Sequence, residues 1–128
     1  MEYRYLFKAK HFGEWHIGNI VKEPDGLYIR DIKENVMAYI DDESTICQCT
    51  GLKDKNGKLI WENDIMVAHL DEDYPENETY IRILWRGSGL CSIENRSKDI
   101  APIDKFDTEH FEVCGNIFDN PELLESEE

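Results

Sequence analysis

The stretch TGLKDKNGKLIWENDIMV, residues 50–67, alternates short apolar segments with polar turns and decides the fold. Asn56 and Gly57 supply the left-handed backbone that a tight turn needs, and Glu62-Asn63-Asp64 makes a second reversal. Residues 59–61 and 65–70 are apolar, and each predicts a short strand. The second of these is nearly all apolar, which is typical of a strand covered on both faces.

Similar short segments continue on both sides of this stretch. Before it, strands are predicted at residues 3–9, 15–22, 27–32, 36–40 and 46–52, and after it at 81–86, 90–93 and 111–117. In the strand predicted at residues 15–22, Trp15, Ile17 and Val21 share one face. Periodicity fails from residue 94 to 108, where Pro102 predicts a loop with one short helical turn around residues 104–106.

No window carries an apolar stripe at helical spacing, so the fold class is all-β with minimal helix. Short strands separated by turn signals predict a small antiparallel barrel or sandwich. We expect a single domain over residues 1–128, in which residues 120–128 form a flexible acidic tail.

The chain is strongly acidic, with a net charge of -14 over 128 residues. The acids crowd a loop (Asp71, Glu72, Asp73, Glu76, Glu78) and the C-terminal tail (Asp119, Glu122, Glu125, Glu127, Glu128). Such a surface repels polyphosphate and anionic headgroups, so we expect neither direct nucleic-acid binding nor membrane binding. Basic partners fit this charge better.

The four cysteines, Cys47, Cys49, Cys91 and Cys114, lack the dense spacing of a secreted disulfide framework. No signal-peptide pattern opens the sequence, and no apolar run approaches the length of a membrane span. A cytoplasmic protein with reduced thiols is therefore expected.

The stretch at residues 50–67 resembles the signature of the YopX family of bacteriophage and prophage proteins. The resemblance extends to FKAK and GEWHIG near the start and to FEVCGNIFDNPELLE near the end, and the region 71–108 matches least. It implies an all-β fold with a barrel-like or SH3-like core and a phage origin, without assigning an activity. The motif residues that match are Thr50, Gly51, Leu52, Asp54, Asn56, Gly57, Ile60, Asn63, Asp64, Ile65, Gly115 and Asn116.

Position 63 departs from the family pattern, since the family commonly has Gly where this chain has Asn63. A turn residue with positive φ explains both choices, because Asn enters the left-handed region at modest cost. The departure favours a structural role for this segment over close approach of a ligand.

Glu62 and Asp64 lie two residues apart, so on an extended backbone both carboxylates would face one way. A divalent metal or an acid/base pair would use such an arrangement, and a metal-dependent hydrolase with a histidine is the enzymatic alternative. We favour the structural explanation, in which Asp64 accepts hydrogen bonds from its own turn.

Cys47 and Cys49 with Cys114 and His110 form a second candidate metal set. Structural zinc knuckles separate their paired ligands by two to four residues, which a Cys-x-Cys pair fits poorly. Small buried hydrophobes are the favoured role, and no metal or cofactor is expected.

Trp15, Trp61 and Trp85 are each explained by a place in the core, and Trp61 also by an exposed ring that docks a partner. We expect a non-enzymatic binding module whose candidate interaction surface is Trp61 with Asp71, Glu72 and Asp73. Its partner would be an unknown host or phage protein, and a homo-oligomer is left open. The alternative function is an acidic nucleic-acid mimic that occupies a host DNA- or RNA-binding protein.

Overall fold

The chain folds into short strands joined by tight turns, and a computed structural model describes residues 6–68, 78–86, 89–95, 97–103 and 108–124. Within these ranges the strands are β1 (Phe7–His11), β2 (Glu14–Glu23), β3 (Gly26–Asp31), β4 (Met37–Tyr39), β5 (Cys47–Lys53), β6 (Leu59–Trp61), β7 (Asp64–Ala68), β8 (Thr79–Arg86), β9 (Gly89–Glu94), β10 (Ile100–Pro102) and β11 (Glu112–Asn116). Short 3₁₀ helices occupy Glu43–Thr45 and Pro121–Leu124. The all-β prediction is confirmed as two antiparallel sheets, and neither closes into a barrel in these ranges.

Contacts group the chain into two compact units, residues 1–51 and 52–128. The prediction of a single domain stays a prediction. Of the predicted acidic tail, residues 121–124 form the second 3₁₀ helix, and residues 125–128 lie outside the described ranges. In the described part of the chain, no helix has the length and apolar character needed to cross a membrane.

The first unit is an antiparallel sheet with the strand order β4-β3-β2-β1-β5. The cross-strand partners Ile20, Ile29 and Ala38 turn to one side of this sheet. On that side lies a core cluster of Ala9, Ile29, Ala38 and Ile40, against which Ile20, Leu27 and Ile46 pack. In β1, Ala9 is fully buried, and residues 3–5 of the strand predicted at residues 3–9 lie outside the described ranges.

The opposite side of this sheet, which we call the outer face, carries Ile17, Asn19, Arg30, Met37 and Tyr39. Asn19, Arg30 and Met37 are cross-strand partners one position away from the buried row, so they point away from the core. The sequence placed Trp15, Ile17 and Val21 on one face and assigned Trp15 to the core. That assignment is wrong: Ile17 is exposed, and the half-buried Trp15 ring lies under the ammonium groups of Lys8 and Lys10.

The second unit contains β6 and a five-stranded antiparallel sheet of order β10-β9-β8-β7-β11. Its core consists of Ile60, Met66, Ile81, Ile83 and Ile103, with Leu52, Leu90, Phe111 and Val113 packed against them. The strand predicted at residues 65–70 is seen as β7, and four of its five residues are buried, as an apolar run predicts.

Strand β10 corrects the prediction of a loop through residue 102. Ile100, Ala101 and Pro102 pair with β9, and β10 is the edge strand of its sheet. Proline cannot donate to a ladder, but an edge strand leaves one side of its backbone unpaired, and Pro102 is the last residue of the strand. The predicted helical turn at residues 104–106 lies outside the described ranges.

The fold predicts a strong requirement for glycine at position 18. Gly18 lies on β2 opposite Asp31, and a Cβ there would overlap the backbone carbonyl of Arg30. We expect Gly18→Ala to lower the free energy of unfolding by about 1–3 kcal/mol, as overpacking does. Urea denaturation measures this change.

The matched control is Asn19→Ala, at the exposed neighbouring position of the same strand. It should change stability by less than about 0.5 kcal/mol. Equal unfolding midpoints for Gly18→Ala and the unmodified protein would contradict the close approach of β2 and β3.

Candidate functional site

The carboxylate of Asp54 organises the first turn of the central motif, and this residue is only 4% exposed. Its Oδ1 accepts hydrogen bonds from the backbone N–H groups of Asn56 and Lys58, at 2.9 Å each. Its Oδ2 accepts a third, from the N–H of Val113 on β11, at 2.9 Å. One carboxylate therefore closes the turn between β5 and β6 and fastens the last strand to it.

The second turn of the motif is organised around Asn63, which has φ of 71°, the left-handed conformation predicted for it. Its N–H donates to the carbonyl of Ile83 at 2.7 Å, and its carbonyl accepts from the N–H of Ile117 at 3.1 Å. Its side-chain oxygen accepts from Arg82 Nη2 at 2.8 Å. Asn63 thus ties together three segments of the second unit, which a glycine at this position could do only through its backbone.

Asp64 performs the role that the turn interpretation assigned to it. Its carboxylate is buried, and Oδ2 accepts a hydrogen bond from the N–H of Trp61 at 2.8 Å. Glu62 is half-buried beside it. In the described part of the chain, no group of three His, Cys, Asp or Glu side chains is placed to hold a metal ion.

The remaining motif residues lie in backbone turns and in the interior. Gly51 and Gly57 have φ of 80° and 81°, and Thr50, Ile60 and Ile65 are buried. Asn116 caps the turn after β11, where its Oδ1 accepts from the N–H groups of Phe118 and Asp119 at 2.9 Å. A Cβ on Gly115 would overlap the side-chain amide of Asn120, so a larger residue here would require the Asn120 side chain to move.

The cysteines proposed as metal ligands are distributed over both units. Cys47 and Cys49 are buried on β5, and Cys47 Sγ donates to the carbonyl of Thr45 at 3.3 Å. Cys114 lies on β11, where its Sγ donates to the carbonyl of Ile65 at 3.4 Å. Partial burial of the sulfur raises the pKa of Cys114, which favours the protonated thiol over the thiolate that metals bind.

A small pocket in the second unit is lined by Glu78, Thr79, Tyr80, Glu94 and Asn95. The Tyr80 hydroxyl donates to Glu78 Oε2 at 2.6 Å, and this hydrogen bond raises the pKa of Tyr80 to about 12. Glu94 Oε2 accepts from the Ser97 hydroxyl at 2.6 Å. Both carboxylates of the pocket are therefore held by neighbouring hydroxyl groups.

The predicted interaction surface is only partly within the described ranges. Trp61 is 7% exposed, so little of its ring can contact a partner. Trp85 is half-buried, and Asp71, Glu72 and Asp73 lie outside the described ranges.

The structure places exposed apolar side chains elsewhere, in a region that sequence reasoning missed. Among the described residues, the exposed large hydrophobic side chains are Phe12, Ile17, Ile32, Val36, Met37 and Tyr39 in the first unit and Ile100 in the second. The period-two pattern of β2 and β3 is apolar on both faces, so it could not show which face is exposed.

The turn between β1 and β2 is the most unusual part of this region. His11 pairs with Glu14, and the two residues between them, Phe12 and Gly13, have φ of 45° and 89°. Two consecutive positive φ values define a type I′ hairpin turn, for which Asn-Gly is preferred. A bulky side chain in this conformation costs about 1–2 kcal/mol.

This turn is fastened to the end of β4 by two hydrogen bonds. The Phe12 N–H donates to Asp41 Oδ1 at 2.6 Å, and His11 Nδ1 donates to the carbonyl of Tyr39 at 2.8 Å. The Phe12 side chain is nevertheless 70% exposed, with the His11 ring against its edge at a centroid distance of 4.8 Å. An exposed phenyl ring is thus held on a rigid turn.

A His-Asp pair lies inside the same unit, with Asp31 buried and His16 partly buried. His16 Nδ1 and Asp31 Oδ2 are 2.9 Å apart. Asp31 Oδ1 also accepts from the N–H groups of Glu34 and Lys33. These hydrogen bonds lower the pKa of the Asp31 carboxyl, the largest effect coming from the Glu34 N–H, and the hydrogen bond with His16 lowers it as well.

Fold and site together define a class of small antiparallel β proteins whose shared motif is made of turn-capping and core residues. The family model for YopX protein matches residues 15–125, so the chain belongs to the YopX family. The resemblance seen in the motif is therefore confirmed. No curated protein gives a significant match to the sequence.

The geometry of Asp54 predicts a large loss of stability when its carboxylate is removed. Asp54→Ala leaves three backbone N–H groups without their acceptor, and we expect a loss of about 2–4 kcal/mol in the free energy of unfolding. Chemical denaturation of both proteins measures it.

Lys55→Ala is the matched control, because it removes an exposed side chain whose Nζ lies 3.6 Å from Glu112 Oε2. Such a surface pair is worth at most about 1 kcal/mol. If Asp54→Ala were no more destabilised than Lys55→Ala, the fastening role of Asp54 would be wrong.

The lowered pKa of Asp31 predicts that the stability of the fold depends on pH. Its pKa is lower in the folded protein than the ordinary value of 3.8, so its carboxylate stabilises the fold above that value. This contribution is lost as the pH falls below 3.8 and through the folded-state pKa. The difference in melting temperature between the unmodified protein and Asp31→Asn should therefore be largest near neutral pH and shrink on acidification.

Glu23→Gln, an exposed carboxylate at the end of β2, serves as the control. Its melting temperature should follow that of the unmodified protein across the same pH range. A difference between Asp31→Asn and the unmodified protein that stayed constant down to the acid limit would contradict the role of Asp31.

Proposed function

We propose that this protein is a non-enzymatic accessory protein, encoded by a phage or prophage, that binds a protein of the bacterial host in the cytoplasm. The observation that carries the proposal is the concentration of exposed apolar side chains in the first unit. Six of the seven large exposed hydrophobic residues in the described ranges belong to it. Contiguous exposed apolar surface is typical of a protein-binding site.

The outer face has the composition that a protein interface requires. Ile17, Met37 and Tyr39 supply apolar area, and Asn19 and Arg30 supply hydrogen-bond donors. These five residues include no carboxylate, although the chain carries a net charge of -14. Carboxylates lie at one end of this face, where Asp25 Oδ2 accepts a hydrogen bond from the Tyr28 hydroxyl at 2.9 Å, so a partner that binds here meets negative charge beside the apolar side chains.

The side chains of the outer face are held in place by contacts with their neighbours, and this also supports binding. Tyr39 packs against Tyr28 edge to face at a centroid distance of 5.4 Å, and Arg30 Nη2 lies 3.5 Å from Met37 Sδ. Side chains held by such contacts lose less conformational entropy when a partner docks on them.

The test compares Met37→Glu with Ile100→Glu, two exposed apolar strand positions in different units. The tagged proteins are incubated with host lysate, the protein recovered by the unmodified chain is purified, and its dissociation constant is measured for all three. We expect Met37→Glu to bind at least about tenfold more weakly and Ile100→Glu to bind like the unmodified chain.

Equal weakening by both substitutions would show that the outer face is not the binding surface. Recovery of no protein by the unmodified chain would contradict the binding function itself.

A further inference from the structure

The type I′ turn of the first unit joins two properties that rarely occur together in one residue. Phe12 is in the left-handed conformation, with φ of 45°, and its side chain is 70% exposed. Neither property contributes much to the fold, because an asparagine would suit the turn better and a largely exposed phenyl ring buries little surface. Strain at an exposed residue is a signature of a functional constraint.

We propose that Phe12 anchors the interface with the host protein and inserts into an apolar pocket of that protein. This inference rests on the proposed function. Aromatic side chains are enriched at the centre of protein interfaces, where a few residues supply most of the binding energy. The turn is fixed before binding by the hydrogen bonds to Asp41 and Tyr39, so the ring is presented in one orientation.

The charges around Phe12 specify the chemistry of that pocket. Glu14 follows the turn on β2, Asp41 accepts the Phe12 N–H, and Asp42 and Glu43 come next in the chain, all of them exposed. A rim of lysine or arginine on the partner complements these carboxylates. The occupant is therefore a folded protein with an apolar pocket and a basic rim.

The decisive variant is Phe12→Asn, because it separates binding from stability. Asn-Gly is the preferred type I′ pair, so the variant should melt at or above the temperature of the unmodified protein. Its affinity for the host protein recovered with the unmodified chain should fall at least about tenfold. Ile100→Asn, which also replaces an exposed apolar side chain, should leave the affinity unchanged.

A photoreactive p-benzoylphenylalanine at position 12 identifies what the ring touches. Irradiation of the purified complex should give an adduct whose partner peptide lies in an apolar pocket flanked by lysine or arginine. The same amino acid at position 100 should give no such adduct. The dissociation constant should rise when NaCl is increased from about 0.05 M to about 0.5 M, because the rim contacts are electrostatic.

Several results would overturn the inference. If Phe12→Asn bound the purified host protein as tightly as the unmodified chain, Phe12 would not be the anchor, while the proposed binding function would stand. Adducts confined to nucleic acid or to a second copy of this chain would refute the pocket on a partner protein. If the unmodified chain recovered no host protein, both the binding function and the anchor would fail.

Discussion

The carboxylate of Asp54 is the interaction on which the second unit depends. It accepts hydrogen bonds from three backbone N–H groups, two in its own turn and one at Val113 on β11. A buried carboxylate is costly unless such donors compensate its lost hydration, and here charged hydrogen bonds do so. Because Asp54 and Val113 are 59 residues apart in the chain, this local turn also sets where the final strand lies.

The same physical device recurs through both units. Asp31, Asp42, Asp64 and Asn116 each present a side-chain oxygen to backbone N–H groups at a turn. Short strands leave many backbone donors outside the ladders, and these oxygens satisfy them. Asp54 and Asp64 of the motif therefore belong to the turns of the fold, which explains why a stretch so rich in charge can identify a family through its structure.

The sequence was sufficient where local chemistry decides the structure, and insufficient where tertiary context decides it. The Asn63 turn and the strands around it followed from residues that tolerate positive φ and from short apolar runs. Strand β10 was missed because Pro102 is compatible with a strand only at a sheet edge, and edge position is not local information. The outer face was misjudged because Ile17 and Ile20 make both sides of β2 apolar, and only the packing of Ile29 and Ala38 selects the buried side.

The Phe12 turn differs from other turns of the fold because its residue type does not suit its backbone conformation. At Gly57, Asn63 and Asn35 a residue suited to positive φ occupies a position that requires it. In the described part of the chain, Phe12 and Lys98 are the remaining non-glycine residues with positive φ, and of these only Phe12 is bulky and apolar. Proteins keep such local conflicts where function selects the side chain against the preference of the backbone. The Phe12 turn, which stability alone would have built with a different residue, thus also presents an aromatic ring to solvent.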